Sequence, residues 1–262
     1  MLDDAVLEWL LDSDPSIRWQ ALDLTGAPAA DVAAERARVA TDGWGADLLA
    51  LQDADGRWDG GTYRPGWARD DRPFFDAWTG THFTLQTLRE LGLLPGAEQA
   101  QRAVALVREH VRWEYDGQPY FDGEVEPCIN GVALANAVYF GQDGEPIVDQ
   151  LLTRQLGDGG WNCWAEWGAR VSSFHSTICA LEGLAAWESG GGQSEVVSDA
   201  RRRAEDYLLE RSLYRRKSDG VVADPRFTML SHPVRWYYDV WEALPAVQAG
   251  LFGRGVVALS AQ

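Results

Sequence analysis

Apolar residues recur at helical spacing along most of the chain, and few segments show the alternation of a β-strand. Ile17, Ala21, Leu22 and Leu24, for example, give one apolar face to a short helix. The pattern predicts an all-α protein. We expect two short helices within 4–24, and further helices at about 28–41, 43–53, 80–92, 97–112, 129–140, 144–155, 173–189, 194–210 and 234–249.

Local signals at the helix ends support these boundaries. Asp14 is a typical N-cap, and Pro15 suits the first helical position because its missing N–H has no partner there. Glycines and a proline interrupt the pattern at 95–96, 141–144 and 190–192, where they end helices through backbone freedom or a missing donor. A long loop, 218–233, precedes the last predicted helix.

The helical pattern repeats along the chain. Residues 82–91 align with 175–184 at an offset of 93, so that a His, a Thr and two Leu coincide, and 48–58 aligns with 151–161 at an offset of 103. Cys128 opens a divergent copy between them, 46 residues after His82 and 47 before His175. A period in the forties indicates stacked helical units, with these three residues at equivalent helix starts.

The charge balance narrows the classes of partner. The formal net charge is −17, which disfavours binding to nucleic acid phosphates or to anionic membrane surfaces. No apolar stretch approaches the roughly 20 residues of a membrane span. Thirteen of the 262 residues are Trp, which favours an apolar small molecule in a concave, aromatic-walled site as the partner.

Other features bear on the cellular compartment. The acidic start, Met1 to Val6, lacks the basic and apolar regions of a secretory signal. Three cysteines are an odd number and do not suggest a disulfide framework. We therefore expect a reducing, cytoplasmic location.

Two copies of one motif carry a family resemblance. The segments Gln52-x-x-Asp55-Gly-x-Trp58 and Gln155-x-x-Asp158-Gly-Gly-Trp161 resemble the Gln-Trp repeat of the squalene and terpene cyclases, a repeat class that includes the β subunits of protein prenyltransferases. The resemblance covers roughly residues 45–250. It implies an (α/α) toroid, in which inner helices line a cavity and gather their N-termini at one end.

The length of the chain bears on how complete this ring is. Too few residues remain for six hairpins, so we expect a shortened toroid over 45–262. A HEAT-like N-terminal segment, 1–44, would pack on it. Either this segment or a second subunit, as in a homodimer, would close the ring.

The prenyltransferase comparison also implies a zinc site. In those enzymes the ligands are the Asp and Cys of an Asp-x-Cys motif and the His of a Tyr-His-Thr motif one repeat later. The corresponding residues here are Glu126, Cys128 and His175, with Glu in place of the Asp and Phe174 in place of the Tyr. A thiolate, an imidazole and a carboxylate suit zinc with one open position, which Cys163 would alternatively fill. The alternative is that no metal binds, that Cys128 is simply buried, and that His175 satisfies a local hydrogen bond.

Other residues near the helix starts are candidates for catalysis and substrate binding. Carboxylates there could act as acids if burial raised their pKa, and aromatic faces could bind an apolar polyene and stabilise cations. The candidate catalytic residues are Asp122, Glu124 and Asp239, and His82 is either structural or substrate-facing. The candidate substrate-binding residues are Tyr120, Trp164, Trp167, Phe174, Trp236 and Tyr237.

An aspartate-rich string is a candidate site for a second cation. The acid motif of the cyclases that start by protonation has three aspartates as Asp-x-Asp-Asp, and 68–71 lacks the first of them. Asp70, Asp71 and Asp76 could instead bind Mg²⁺ and a diphosphate. The prolines and glycine around them favour a solvated turn, and zinc is favoured over Mg²⁺ as the cofactor.

These observations predict an enzyme that cyclises or isomerises an apolar, isoprenoid-like molecule. A zinc-dependent transferase or hydrolase that uses Glu126, Cys128 and His175 is the alternative enzyme. A non-enzymatic protein that binds a lipid or another small molecule is the third possibility.

Overall fold

The computed structural model describes residues 3–68, 77–233, 235–241 and 243–244. In these residues no β-strand forms, and the only pairings of extended backbone are three isolated β-bridges. The prediction of an all-α protein is therefore confirmed for this part of the chain. Its α-helices are α1 Asp4–Leu11, α2 Pro15–Leu24, α3 Ala29–Ala37, α4 Gly43–Ala50, α5 Thr81–Glu90, α6 Glu98–His110, α7 Pro127–Tyr139, α8 Glu145–Arg154, α9 Phe174–Ser189 and α10 Glu195–Leu209.

Helix starts follow the capping signals. Asp14 Oδ1 accepts a hydrogen bond from the N–H of Ser16 at 2.8 Å, and Pro15 occupies the first helical position. Asp3 Oδ1 caps α1 in the same way through the N–H of Ala5, at 2.9 Å. These bonds satisfy donors that a helix start leaves without intrahelical partners, so the predicted start at Asp14 is confirmed.

The last predicted helix begins later than its apolar pattern indicated. Residues 235–239 are not helical, and helix begins at Val240. The reason is local, because Arg235 has a positive φ of 57° and Asp239 Oδ1 accepts the N–H of Trp241 at 2.9 Å. A start near 234 is therefore wrong, and residues 234, 242 and 245–249 of that prediction lie outside the described residues.

The chain forms two compact units. Unit 1 contains Met1–Tyr120 and Tyr139–Gly141, and unit 2 contains Phe121–Val138 and Gln142–Gln262. The predicted division at 44–45 falls inside unit 1, where it remains a prediction.

The N-terminal helices of unit 1 are fastened to the end of α5. Trp19 of α2 donates from Nε1 to the carbonyl of Leu91 at 2.9 Å, and Arg36 of α3 donates from Nε to the carbonyl of Gly92 at 2.9 Å. Gly92 has φ +86°, and a Cβ there would overlap the ring of Trp19. Glycine is required at this contact for two reasons. Other residues rarely adopt a positive φ, and any side chain would collide with the ring of Trp19.

In unit 1 the side chains of the motif that begins at Gln52 tie a turn to two helices. Gln52 Nε2 donates to the carbonyls of Gly56 and of Ala103 in α6, both at 3.0 Å. Trp58 donates from Nε1 to the carbonyl of Leu48, in the last turn of α4, at 2.6 Å. The side chains thereby satisfy backbone groups that helix ends and turns leave open.

Unit 2 repeats this set of bonds. Gln155 Nε2 donates to the carbonyls of Gly159 and of Ala200 in α10, both at 2.7 Å. Trp161 donates from Nε1 to the carbonyl of Leu151, in the last turn of α8, at 2.8 Å. Each bond has its counterpart in unit 1, so the two copies are repeated structures as well as repeated sequences.

A further shared bond is displaced relative to the helix starts. The backbone N–H of Trp58 donates to Thr81 Oγ1, and that of Trp161 donates to Thr177 Oγ1, both at 3.1 Å. Thr81 and Thr177 thus make the same bond at an offset of 96, although Thr81 is the first residue of α5 and Thr177 the fourth of α9. His82 and His175 are nevertheless each the second residue of their helix, α5 and α9, so the predicted register of the helix starts is confirmed.

The second and third copies, in contrast, show no such displacement. Asn130 Oδ1 accepts the N–H of Glu124 at 2.6 Å, as Thr177 Oγ1 accepts that of Trp161. Asn130 and Thr177 are 47 residues apart, the same offset that relates Cys128 to His175. Cys128 and His175 therefore occupy equivalent places at the starts of α7 and α9.

Within unit 2, α7 and α9 approach each other at glycines. A Cβ at Gly131 of α7 would overlap the carbonyl of Cys179, and a Cβ at Gly183 of α9 would overlap the carbonyl of Gly131. Backbone therefore touches backbone at this crossing, which fixes how far Cys128 lies from α9.

We expect the threonine bonds to stabilise both units. Replacing Thr81 or Thr177 by Val keeps the shape of the side chain but leaves a buried Trp N–H without an acceptor. Each change should lower the free energy of unfolding by about 1–3 kcal/mol in urea titrations. Thr153→Val, at an exposed threonine of α8, is the matched control and should cost less than about 0.5 kcal/mol. A loss at Thr177 no larger than this control would contradict the assigned role.

Candidate metal centre

The first part of the site is the turn that leads into α7. Asn130 holds this turn, because its Oδ1 accepts the N–H of Glu124 and its Nδ2 donates to the carbonyl of the same residue. Glu124 Oε2 in turn accepts the N–H of Glu126 at 2.6 Å. The helix then begins at Pro127, and Cys128 lies buried in its first turn.

The second part is the loop that follows Trp161. Ser173 caps α9 by accepting the N–H of Ser176 at 3.1 Å, and Ser176 Oγ accepts the N–H of Cys163 at 3.1 Å. The hydroxyl of Ser176 also lies 3.2 Å from Cys163 Sγ. A cap of α9 therefore anchors the loop and places its thiol.

These two parts bring three potential ligands together. One ligand atom from each of Glu126, Cys128 and Cys163 lies within 4.8 Å of the others. The two sulfurs are 2.7 Å apart, and Cys128 Sγ is 3.8 Å from Glu126 Oε2. Both cysteines are free thiols, Cys128 buried and Cys163 half-buried. This group could hold a metal ion.

Electrostatics in the group favour a cation. The hydrogen bond with Cys163 and then burial raise the pKa of the Cys128 thiol well above its usual range, and neighbouring Cys179 and Glu126 act in the same direction. All of these causes oppose a negative sulfur. A divalent cation would reverse the local balance, because a coordinating thiol gives up its proton.

His175, a predicted ligand, is not a member of this group. Its Nδ1 accepts the backbone N–H of Tyr238 at 2.7 Å, so the neutral ring carries its proton on Nε2 and neither nitrogen offers a free lone pair. Its ring lies 5.3 Å from that of Phe227 and 5.5 Å from that of Trp236, measured between centroids. In this structure Cys163, the predicted alternative ligand, lies beside Glu126 and Cys128, and coordination of a metal by His175 remains a prediction.

Cys179, one turn after His175, is buried, as a packing role requires. Its Sγ lies 3.8 Å from the carbonyl of Trp236. It is not one of the clustered ligands, although its position contributes to the raised pKa of Cys128.

The predicted catalytic carboxylates of unit 2 have different surroundings. Asp122 is exposed, whereas Glu124 and Asp239 are buried. Asp239 accepts backbone N–H groups from Ser231 at 3.0 Å and from Trp241 at 2.9 Å. These contacts, like that of Glu124 with the N–H of Glu126, are turn and helix caps, and a catalytic role for any of the three remains a prediction.

His82 and Tyr120 belong to the core of unit 1. His82 is buried with its Nδ1 3.2 Å from the hydroxyl of Tyr120. The ring of Tyr120 is completely buried and stacks on Trp113 at a centroid distance of 4.8 Å. Of the two predicted alternatives for His82, these contacts favour the structural one.

The predicted substrate-binding aromatics of unit 2 fall into two groups. Trp164 and Trp167 directly follow Cys163 in the loop, are 70% and 68% exposed, and contact each other edge to face at 6.0 Å. Phe174 is buried against Tyr207, Phe227 and Tyr238, which is a packing environment.

The remaining two predicted aromatics, Trp236 and Tyr237, are half-buried and stack on each other at 4.1 Å. The aspartates weighed for Mg²⁺, Asp70, Asp71 and Asp76, lie outside the described residues.

Two polar residues of the site were missed in the sequence. Asn130 and Ser176 position the turn before α7 and the loop of Cys163, respectively. The sequence carries a signal for Ser176, because Ser173 is a typical N-cap and Ser176 follows it in the first turn of the helix. Asn130 carried no comparable local signal.

Comparison with known proteins assigns this chain to no family. The chain matches no protein-family model, no curated protein and no solved structure. In the described part of the chain, no helix combines the length and apolar character needed to cross a bilayer. A function for this protein can therefore be inferred only from the geometry of the site.

His175 makes a testable contribution to stability. Burial, followed by the positive charge of Arg226, lowers the pKa of His175 to about 4, from about 6.5 in an unfolded chain. The unfolded state then binds more protons between these values, so stability is full above pH 6.5 and falls as the pH drops towards 4. Between pH 7.0 and 5.5 this one group should lower the unfolding free energy by about 1 kcal/mol.

The measurement is a pair of urea titrations at the two pH values. His175→Gln should reduce the difference between them by that amount, while His110→Gln, at an exposed histidine of α6, controls for removal of one histidine. An unchanged difference in the His175 variant would contradict the assignment.

Proposed function

We propose that this protein is a zinc-dependent enzyme, of the transferase or hydrolase type, whose metal ligands are Glu126, Cys128 and Cys163. The observation that carries the proposal is the convergence of two free thiols and a carboxylate within 4.8 Å. Two of these ligands belong to the start of α7, and the third comes from a loop 35 residues later in the chain.

The donor set favours zinc over magnesium. Thiolates are soft ligands that suit zinc, whereas Mg²⁺ takes oxygen ligands in octahedral geometry. Three protein ligands are also the number typical of a catalytic zinc site, which keeps a fourth position open. When bound there, zinc would polarise a substrate or lower the pKa of a coordinated water or thiol.

The residues around the ligands have roles of their own. Ser176 holds Cys163 from both its N–H and its sulfur, and Glu124 holds the backbone of Glu126. Such contacts orient ligands and limit their movement. Cys128 is buried and Cys163 half-buried, so solvent and substrate reach the group from the side of the Cys163 loop.

We also propose the (α/α) toroid class for the fold. Support comes from the matching hydrogen bonds of Gln52 with Gln155 and of Trp58 with Trp161, which repeat in the two units. These are bonds expected of a Gln-Trp repeat that joins inner and outer helices.

A second candidate function is cyclisation or isomerisation of an apolar, isoprenoid-like molecule. The observation in its favour is the exposed pair of Trp164 and Trp167 next to Cys163. Because Glu124 and Asp239 are engaged as caps, the carboxylates give this function less support than the thiols give to a metal. A protein that binds such a molecule without reaction is the non-enzymatic alternative.

Metal analysis tests the zinc proposal directly. Protein purified without added zinc should contain about one zinc ion per chain, and Co²⁺ substitution should give the absorption of a tetrahedral, thiolate-bound ion. Because loss of supporting contacts alone typically costs about 10–100-fold in affinity, Cys128→Ser or Cys163→Ser should weaken zinc binding by at least about 100-fold.

Two control variants separate the ligand sets. Cys179→Ser removes a buried thiol outside the group and should retain zinc, as should His175→Gln. If both Cys128→Ser and Cys163→Ser retain zinc, or if the unmodified protein contains negligible zinc, the proposal is wrong. Loss of zinc in His175→Gln with retention in Cys163→Ser would restore the ligand set implied by the family resemblance.

The apolar-ligand candidate predicts a role for the exposed tryptophans. Farnesol serves as the probe, and its affinity is measured by isothermal titration calorimetry. Replacing both Trp164 and Trp167 by Ala should weaken binding by about 10-fold or more, since burial of one large apolar side chain contributes about 1.5–3 kcal/mol. Trp9→Ala, at an equally exposed Trp of α1, is the control. Equal affinity in the double variant and the control would rule out this surface as the binding site.

A further inference from the structure

We propose that Cys128 and Cys163 form a peroxide-sensitive switch, in which oxidation joins them as a disulfide and ejects the metal ion. The proposal concerns regulation of the candidate metal centre. Its metal-release step rests on the proposed function, whereas its disulfide step does not.

The first argument is the distance between the two sulfurs. They lie 2.7 Å apart although the residues are separated by 35 positions in the sequence. A disulfide bond is about 2.05 Å long, so the sulfurs need to approach by only about 0.7 Å. The two thiols are already held together by the start of α7 and by the loop anchored on Ser176, and no rearrangement of helices is required.

The second argument is the difference in access between the thiols. Cys163 is half-buried and Cys128 is buried, so a small oxidant in solution meets Cys163 first. The hydroxyl of Ser176 lies 3.2 Å from Cys163 Sγ, where it can donate to a developing thiolate. Cys128 Sγ then stands next to the oxidised sulfur as the resolving thiol. An accessible thiol beside a resolving one is an arrangement often found at reversibly oxidised cysteines.

The chemistry balances with hydrogen peroxide as the oxidant. The sulfur of Cys163 attacks one peroxide oxygen, the O–O bond breaks, and a sulfenic acid and one water form. The sulfur of Cys128 attacks the sulfenic sulfur, the S–S bond forms, and the S–O bond breaks to release a second water. The two sulfurs lose two electrons to the peroxide, and the two thiol protons end in water. From the zinc-bound dithiolate, two protons are taken from solvent and Zn²⁺ is released.

Metal binding and the disulfide exclude each other. Zinc is held by thiolates, and a disulfide sulfur is neither charged nor a comparable ligand. After oxidation only Glu126 of the three clustered ligands remains. Reduction restores both thiols, so the change is reversible. Cys179 is buried on α9 with its sulfur 3.8 Å from the carbonyl of Trp236, and we do not assign it a part in the switch.

The test treats the full chain, both metal-free and zinc-loaded, with hydrogen peroxide. Intact mass spectrometry should show the loss of two hydrogens, free thiols should fall from three to one per chain, and peptide mapping should find a Cys128–Cys163 crosslink. In the zinc-loaded sample a chromophoric chelator should record release of one zinc per crosslink. A thiol reductant should reverse all four changes.

Matched variants locate the crosslink. Cys179→Ser should form it and fall from two free thiols to none. Cys163→Ser should form none and should instead keep two thiols or gain oxygen. A non-reducing gel distinguishes the intramolecular product from a crosslinked dimer. Absence of the crosslink in the unmodified metal-free protein, or a crosslink that uses Cys179, would overturn the switch.

The outcomes also separate this inference from the proposed function. Disulfide formation in a protein that never binds zinc would leave the thiol switch standing and refute the zinc enzyme. Zinc binding through Cys128 and Cys163, with no disulfide under peroxide, would leave the zinc enzyme standing and refute the switch.

Discussion

Hydrogen bonds from buried side chains to the open backbone groups at helix ends are the constraint on which the rest of this structure depends. A chain made of short helices has many such groups, and each one that is buried without a partner costs about 1–3 kcal/mol. Here a Gln and a Trp of each motif donate to backbone carbonyls, while Thr81 and Thr177 accept the N–H of the motif Trp. One set of side chains thus fixes where a turn lies relative to three helices.

The candidate metal centre is a consequence of this arrangement. Thr177 holds Trp161 at the start of the loop, and Ser176 beside it holds Cys163, so α9 positions the loop through consecutive residues. The glycine crossing of α7 with α9 sets the other half of the site. The short distance between the two sulfurs follows from both, and it explains at once the raised pKa of Cys128, the capacity for a metal and the readiness to form a disulfide.

The limits of sequence reasoning are clearest in the repeat. Capping residues and helix-breaking residues predict helix ends because these signals act within a few residues of the chain. Asp14 with Pro15 at the start of α2 is the clearest case. The starts of α5 and α9 are in the predicted register, but the threonine that accepts the N–H of the motif Trp is displaced by three residues. Three residues are nearly one helical turn, so Leu85 and Leu88 fit the apolar face as well as Leu88 and Leu91 do. The apolar pattern therefore does not reveal this displacement, and only the tertiary hydrogen bond does.

The sequence by itself determined that the chain is helical, where most helices begin and end, and that Glu126 and Cys128 stand together at the start of α7. It also identified Cys163 as an alternative ligand. Only the tertiary structure shows that Cys163, and not His175, lies beside Cys128, because this depends on which side chain a folded loop brings there. His175 instead accepts a hydrogen bond from the backbone of Tyr238, a residue 63 positions away. Contacts of that kind have no local signature in the sequence, since they arise only when helices and loops are packed together.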